Sequence, residues 1–256
     1  MKEQYIAVLD SGIGGISVLN EMIKIMPNEK YLYFGDNKNA PYGNRTEKSL
    51  KDITFKNIDA IKQYNIKALV VGCNTLSTTI LPQISEYASV ATFGVFPPVE
   101  SSIVNGERTL LLCTNKTAEK YKNIKEVTVV GLERLANDIE QNLSNLDAVD
   151  FITNIEQYSR VFCGNLSSDK CCYDTIILGC THYVFIKNKI FNHFRPRKMI
   201  CGEIFTAKVV YEFLKNTKSL EKYKRFSIDF LGESAKINEE FYKKSGHKEL
   251  NLIKKI

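Results

Sequence analysis

Short runs of apolar residues recur along the chain, and most of them end in a small or polar loop that leads into a helical pattern. The runs predict strands, at residues 5–9, 31–34, 68–71, 91–95, 110–113, 126–130, 175–178, 199–200 and 226–231. Most of these runs are more continuously apolar than the alternating pattern of a half-exposed antiparallel strand. The pattern therefore predicts an α/β protein whose parallel sheets are flanked by helices on both faces.

Apolar residues at helical spacing predict helices between the strands, at residues 16–23, 46–64, 132–143, from just after His182 to residue 191, and 203–215. Thr46 is expected to cap the second of these helices. Residues 144–174 have no clear period, and we interpret them as a helix of uncertain limits. No low-complexity linker divides the chain.

Two strand ends carry the same short motif, 107 residues apart. Each is an apolar strand that ends in Gly-Cys, at Cys73 and at Cys180, followed by two hydrogen-bonding residues. Ligands of parallel sheets lie beyond the carboxyl ends of the strands. We therefore expect two similar domains related by a pseudo-twofold axis, with the two thiols on opposite sides of one cleft. The expected limits are 1–95 with about 205–256 for the first domain, and about 96–204 for the second.

Two opposed thiols suit a reaction that removes a proton from one face of a carbon and returns one to the other face. The unperturbed cysteine pKa of about 8.5 makes either protonation state accessible near neutral pH. Asp10, at the end of the first strand, is expected to assist near Cys73, and His182 near Cys180. From the residues alone, a two-thiol site and a pair of buried core cysteines remain open alternatives.

The other cysteines do not share this setting. The chain has seven cysteines, without a Cys-x-x-Cys pair or a Cys/His spacing typical of zinc, and no metal site is predicted. Cys113 ends a strand but lacks the preceding glycine, so we interpret it as core, with Thr114 and Thr117 near the pocket. The remaining cysteines have no recognisable context: Cys163, Cys171, Cys172 and Cys201.

A glycine-rich turn follows the first strand, at residues 10–15. Its Gly-x-Gly-Gly pattern differs from the dinucleotide fingerprint and lacks the lysine of a phosphate-binding loop, which argues against nucleotide binding. The backbone amides of the turn and the Ser11 hydroxyl are instead expected to approach a substrate carboxylate at a helix N-terminus.

Composition and charge limit the class of protein. The chain has 256 residues, 44% hydrophobic and 25% charged, as in ordinary globular proteins. No signal-peptide core and no apolar stretch of membrane-spanning length is visible, so a soluble cytoplasmic protein is expected. The net charge is +6, and residues 217–256 hold ten Lys or Arg against six Asp or Glu. Because acids alternate with these lysines, a solvated surface is favoured over a nucleic-acid site.

Four motifs, in the family's order and spacing, resemble those of the bacterial glutamate racemase family: Ala7-Val8-Leu9-Asp10-Ser11-Gly12-Ile13-Gly14-Gly15, Tyr33-Phe34-Gly35-Asp36 with Ala40-Pro41-Tyr42-Gly43, Cys73-Asn74-Thr75, and Leu178-Gly179-Cys180-Thr181-His182-Tyr183. The resemblance spans nearly the whole chain. It implies a two-domain α/β fold with the active site between the domains, without pyridoxal phosphate or metal. It also implies a homodimer that supplies D-glutamate for peptidoglycan.

The same resemblance implies roles for individual residues. Cys73 and Cys180 match the catalytic pair, and Glu140 is the best match to an acidic residue that assists near His182. The implied substrate contacts are hydroxyl, amide and backbone groups that suit a small dicarboxylate: Asp10, Ser11, Tyr42, Gly43, Asn74, Thr75 and Thr181.

Two positions depart from the family pattern, and three other functions stay open. Leu76 replaces a small alanine, and Pro97 replaces a glutamate. The nearest alternative is an aspartate racemase or another two-cysteine amino-acid racemase. The second is a divergent racemase-like protein with a binding or regulatory role. The third is a related decarboxylase, although its chemistry needs only one of the two cysteines.

Overall fold

A computed structural model describes residues 4–104, 106–156, 173–223 and 225–253, and it contains two sheets in which all strand pairs are parallel. The first sheet has the order β4-β3-β1-β2-β9 and consists of β1 (Tyr5–Asp10), β2 (Lys30–Gly35), β3 (Ile66–Val71), β4 (Thr92–Gly94) and β9 (Ser227–Leu231). The second has the order β6-β5-β7-β8 and consists of β5 (Thr109–Cys113), β6 (Val127–Gly131), β7 (Thr175–Gly179) and β8 (Lys198–Cys201). The predicted α/β class is confirmed.

Helices cover both sheets. The α-helices are α1 (Gly15–Ile25), α2 (Glu47–Ile61), α3 (Asn74–Thr79), α4 (Leu81–Ala88), α5 (Asn115–Tyr121), α6 (Leu135–Gln141), α7 (Phe151–Glu156), α8 (Lys187–Phe194), α9 (Glu203–Asn216) and α10 (Ala235–Ile253). Short 3₁₀ helices span Glu100–Ser102, Leu146–Ala148 and Thr181–Ile186. Among the described residues, no helix combines the length and apolar character needed to cross a membrane.

The duplicated Gly-Cys motif is part of a repeated topology. The first four strands have the order β4-β3-β1-β2 and the next four the order β8-β7-β5-β6, so β7 takes the place of β3 and β5 that of β1. Leu9 of β1 pairs with Val71 of β3, and Leu112 of β5 pairs with Leu178 of β7. The two Gly-Cys pairs therefore follow their strands at matching positions of the two sheets.

One apolar core joins the two sheets. Buried residues of β1 and β7, including Val8 and Ile176, belong to the same cluster. The chain passes from the first sheet to the second after β4 and returns after β8. These two connecting segments are in contact, because a Cβ added at Gly202 would lie 2.2 Å from the Phe96 carbonyl oxygen. With a shared core, the predicted division into two domains stays a prediction.

Several helix limits differ from those predicted. Thr46 does cap α2, since its side chain accepts a hydrogen bond from the Ser49 amide, but the helix ends at Ile61. The predicted helix at 144–174 is wrong for residues 144–156, which form only two short helical segments, and residues 157–172 lie outside the described part of the chain. The short helices α3, α4 and α5 were not predicted, because each has eight residues or fewer and shows the helical spacing of apolar residues only over that length.

A buried ion pair anchors the segment that leads into β9. The Lys67 ammonium lies 2.6 Å from the Glu29 carboxylate, with side chains 7% and 3% exposed. Lys67 also donates to the Ser219 carbonyl at 2.6 Å, and Glu29 accepts from the Glu221 amide at 2.8 Å. The pair thereby ties residues 219–221 to the first sheet.

Replacing Lys67 with methionine is expected to lower the free energy of unfolding by about 3 kcal/mol, because it leaves the Glu29 carboxylate buried without its counterion. Urea denaturation measures the change. Lys51→Met, which breaks a solvent-exposed pair with Glu47, is the matched control and should have little effect. The double variant Glu29→Gln/Lys67→Met should recover much of the loss. An equal loss in the double variant would show that packing, not charge, matters here.

Candidate active site

The carboxyl ends of the strands from both sheets surround a small cavity of about 20 Å³. That is room for about one water molecule, far below the roughly 300–1,000 Å³ of typical small-molecule sites, so the walls of the site lie close together. The cavity brings together all but one of the predicted site residues, Thr114 as expected, and two residues that were not predicted, Pro41 and Ala136. Its lining is Ser11, Pro41, Tyr42, Gly43, Cys73, Asn74, Thr75, Thr114, Ala136, Glu140, Cys180, Thr181 and His182. The exception is Asp10, which lies behind the wall. The walls must therefore move apart to admit a substrate.

Cys73 sits where β3 ends and α3 begins, and its side chain is 6% exposed. Its sulfur lies 3.6 Å from the Ser11 hydroxyl. Burial, together with the negative charge of nearby Asp10, raises the pKa of the Cys73 thiol to about 12. Burial thus favours the neutral thiol of Cys73 over the thiolate in this structure.

Cys180 has different surroundings, although it occupies the matching position after β7. The His182 Nδ1 lies 3.7 Å from the Cys180 sulfur, and the His182 Nε2 lies 2.6 Å from Glu140 Oε1. Burial alone would lower the pKa of His182, but its hydrogen bonds to Cys180 and Glu140 raise that pKa well above the usual range. An imidazolium between a sulfur and a carboxylate stabilises a thiolate at the sulfur.

Glu140 extends from α6, which follows the second sheet's β6, to the turn after β1. It accepts hydrogen bonds from the Ile13 amide at 2.8 Å and from the Asn37 side chain at 2.7 Å. Burial would raise the pKa of Glu140, but these hydrogen bonds and the bond to His182 lower it overall. Glu140 is therefore a carboxylate, and it joins the two halves of the chain.

The glycine-rich turn binds carboxylates of the protein itself. The Gly12 amide donates to Asp10 Oδ1 at 2.8 Å, and the Ile13 amide donates to Glu140. The Tyr33 hydroxyl holds the turn by donating to the Gly12 carbonyl at 2.7 Å. The prediction that these amides approach a substrate carboxylate is therefore wrong for Gly12 and Ile13, because both are already occupied.

Asp10 is completely buried. Its Oδ1 is bound by the Gly12 amide, whereas its Oδ2 has no hydrogen-bond partner among the described residues. Burial raises the pKa of Asp10 to about 6, and the charge of His182 and the Gly12 bond only partly offset that rise. Asp10 thus titrates close to neutral pH.

A loop after β2 closes the cavity on one side. Asp36 is buried, and its side chain accepts hydrogen bonds from the Tyr42 hydroxyl at 2.7 Å and from the Asn57 side-chain amide at 3.1 Å. Gly43 packs against Thr114 of the second half of the chain. A Cβ added at Gly43 would lie 2.9 Å from the Thr114 Cβ. Thr114 also meets Thr75, with 3.0 Å between the hydroxyl oxygens. Tyr42 and Gly43 are thereby fixed at the cavity wall.

The remaining residues of interest lie away from the cavity. Cys113 is buried, as predicted, and lies in a separate apolar cluster; Thr117 binds the Thr114 hydroxyl at 3.2 Å. Cys201 is half-buried, and Cys163, Cys171 and Cys172 fall outside the described residues. In the part of the chain that the structure describes, no group of three or more His, Cys, Asp or Glu side chains is placed to hold a metal ion.

Comparisons with known proteins agree with the motifs. The family described as Asp/Glu/hydantoin racemase matches residues 8–207. A glutamate racemase of Clostridium botulinum is 31% identical over 237 residues, which cover 88% of this chain and 89% of the relative. The solved structure of a glutamate racemase isoform from Bacillus anthracis superposes with a TM-score of 0.77 at 25% identity, covering 95% of this chain and 94% of the other. The Thermus thermophilus glutamate racemase, in complex with β-chloro-D-alanine, gives a TM-score of 0.72 at 26% identity, with 93% of each chain covered.

Proposed function

The chain belongs to the Asp/Glu/hydantoin racemase family, which makes it an isomerase, and from that membership we propose that it interconverts L- and D-glutamate without an organic cofactor. The observation that supports the reaction is the pair of thiols, Cys73 and Cys180, in the wall of one small cavity. The glutamate racemase name of the Clostridium botulinum relative supports the choice of substrate.

In the proposed mechanism the two cysteines act on opposite faces of the substrate α-carbon. Cys180, as the thiolate beside the His182 imidazolium, takes the α-proton of one enantiomer, and the electron pair of the C–H bond moves into the α-carboxylate. Cys73, as the neutral thiol, gives its proton to the other face. The other enantiomer reacts with the roles reversed, and Asp10 is proposed to assist proton movement at Cys73.

The proposed substrate contacts are mostly uncharged. Among the described residues, the cavity lining contains no Lys or Arg, so the two carboxylates of glutamate would be held by hydroxyls and amides. Ser11, Thr75 and Thr181 supply hydroxyls, and Asn74 supplies an amide. Such donors stabilise the extra negative charge that the α-carboxylate gains as the proton leaves.

Two further parts of the proposal come from the family resemblance: the product D-glutamate enters peptidoglycan synthesis, and the protein forms a homodimer. From the composition we also propose that the protein acts in the cytoplasm. Within the isomerase class, the alternative is an aspartate racemase or another two-cysteine racemase. The experiment below would also reveal a decarboxylase or a binding or regulatory protein.

Circular dichroism of L-glutamate incubated with the purified protein tests the proposal. The optical signal of L-glutamate should fall to zero without added cofactor, and so should that of D-glutamate. Prior treatment of the protein with EDTA or hydroxylamine should not slow the loss of signal. L-Aspartate is the parallel substrate: faster loss of its signal would replace glutamate by aspartate. Release of carbon dioxide would favour the decarboxylase, and no change with either substrate would favour a binding protein.

A further inference from the structure

Asn37, in the loop after β2, forms a hydrogen bond to the second half of the molecule. Its side-chain Nδ2 lies 2.7 Å from Glu140 Oε2, and these residues are 103 positions apart in sequence. The other Glu140 oxygen accepts from the Ile13 amide and contacts His182 Nε2. Two of the three partners of Glu140 thus come from the first half, whereas Glu140 and His182 belong to the second.

We propose that Asn37 is a positioning residue for Cys180: it holds Glu140, Glu140 holds His182, and His182 faces the sulfur. This inference rests on the proposed racemase function and extends it to a residue outside the cavity lining. Asn37 touches neither thiol in the structure, so its effect passes through the carboxylate and the imidazole.

The physical reason is the cost of leaving a buried carboxylate oxygen without a donor. With Asn37 in place, Glu140 stays ionised and the shared proton stays on His182. Without it, Oε2 loses its hydrogen bond, and protonation of Glu140 becomes easier. The nearest proton is that of His182 Nε2, 2.6 Å from Oε1. Its transfer leaves a neutral imidazole beside Cys180, which no longer stabilises a thiolate.

The hydrogen bonds of Glu140 from Ile13 and Asn37 connect the turn and the loop of the first half to α6 of the second half. The position of His182 beside Cys180 therefore depends on contacts from both halves.

The pH dependence of kcat/KM for glutamate tests this inference with the variants Asn37→Ala and Asn44→Ala. The titratable groups around Glu140 are His182, Asp10 and Tyr33, with Cys180 beyond His182. In Asn37→Ala, the acidic limb should move to higher pH, and kcat/KM near pH 6 should fall about tenfold or more.

Asn44 provides the matched control. It lies on the same loop and also bonds across the cavity, to the Glu133 carbonyl at 3.4 Å, but it does not touch Glu140. Asn44→Ala should keep the pH profile of the unaltered protein. An equal shift in both variants, or no shift in Asn37→Ala, would overturn the inference.

A second measurement does not depend on racemisation. Nitrogen-15 NMR of the imidazoles should show His182 as an imidazolium between pH 5 and 8 in the unaltered protein, and as a neutral ring in Asn37→Ala. The chain has only three histidines, so a His182→Gln variant assigns the signal. An unchanged imidazolium in a folded Asn37→Ala protein would refute the role of Asn37, whereas absence of turnover in the unaltered protein would refute the racemase function alone.

Discussion

Alanine in place of Cys73 or of Cys180 abolishes racemisation, with an expected loss of at least about 10³-fold in kcat/KM, because one face of the α-carbon then lacks the group that takes or gives the proton. The remaining thiol still meets one face. Each single variant should therefore exchange the α-proton of one enantiomer with solvent, and the two variants should act on opposite enantiomers.

Proton NMR in deuterated water, with L- and D-glutamate supplied separately, measures that exchange. Cys113→Ala is the matched control, because it removes a buried thiol from the neighbouring strand that does not line the cavity. It should cost stability but leave racemisation by the folded protein intact. Exchange of the same enantiomer in both active-site variants would contradict the assignment of one thiol to each face.

Asparagine in place of Asp10 should make the protein more stable and much less active. The pKa of Asp10 is raised from 3.8 to about 6, so its folded state favours the protonated carboxyl, and ionisation at neutral pH destabilises the fold. Below about pH 3 the carboxyl is protonated in both folded and unfolded chains, and the penalty vanishes. Above about pH 7 it is fully present, at about 3 kcal/mol. The neutral amide avoids that penalty, but it cannot take or give a proton, and we expect a loss of about 10²-fold in kcat.

Urea denaturation at pH 4 and pH 8, with a racemisation assay at pH 8, checks both parts. The gain in the free energy of unfolding should be present at pH 8 and mostly lost at pH 4. Asp229→Asn is the control, because Asp229 is exposed on β9 and should change neither quantity. A stability gain that is independent of pH would mean that Asp10 is not the source of the penalty.

Local pattern was sufficient to predict most of the fold. Strand positions follow from continuous apolar runs, and the duplicated Gly-Cys ends pointed to the two thiols. The helix predicted at 144–174 failed for residues 144–156 because that segment has no clear period, and pattern alone does not distinguish turns from helix there. The family resemblance supplied Glu140, and the structure places it beside His182.

The sequence pattern did not predict contacts between residues that are far apart in the chain. The Ile13 amide is used by Glu140, 127 positions away, so the role of the glycine-rich turn was misjudged. Asn37 stands beside the Asp36 motif but carries no signal of its own partner across the cavity. The raised pKa of Cys73 arises from burial in the folded chain, which the residue type does not reveal.

The repeated topology matches the thiols but not their neighbours. By strand register, Asp10 corresponds to Cys113, and by position after the cysteine, His182 corresponds to Thr75. Under the proposed reaction, a site with different residues on its two sides thus acts on two enantiomers that have the same free energy in water. The Haldane relation then requires kcat/KM to be the same for both enantiomers, however unequal the two thiols are. The asymmetry can appear only as kcat and KM changing in proportion from one enantiomer to the other.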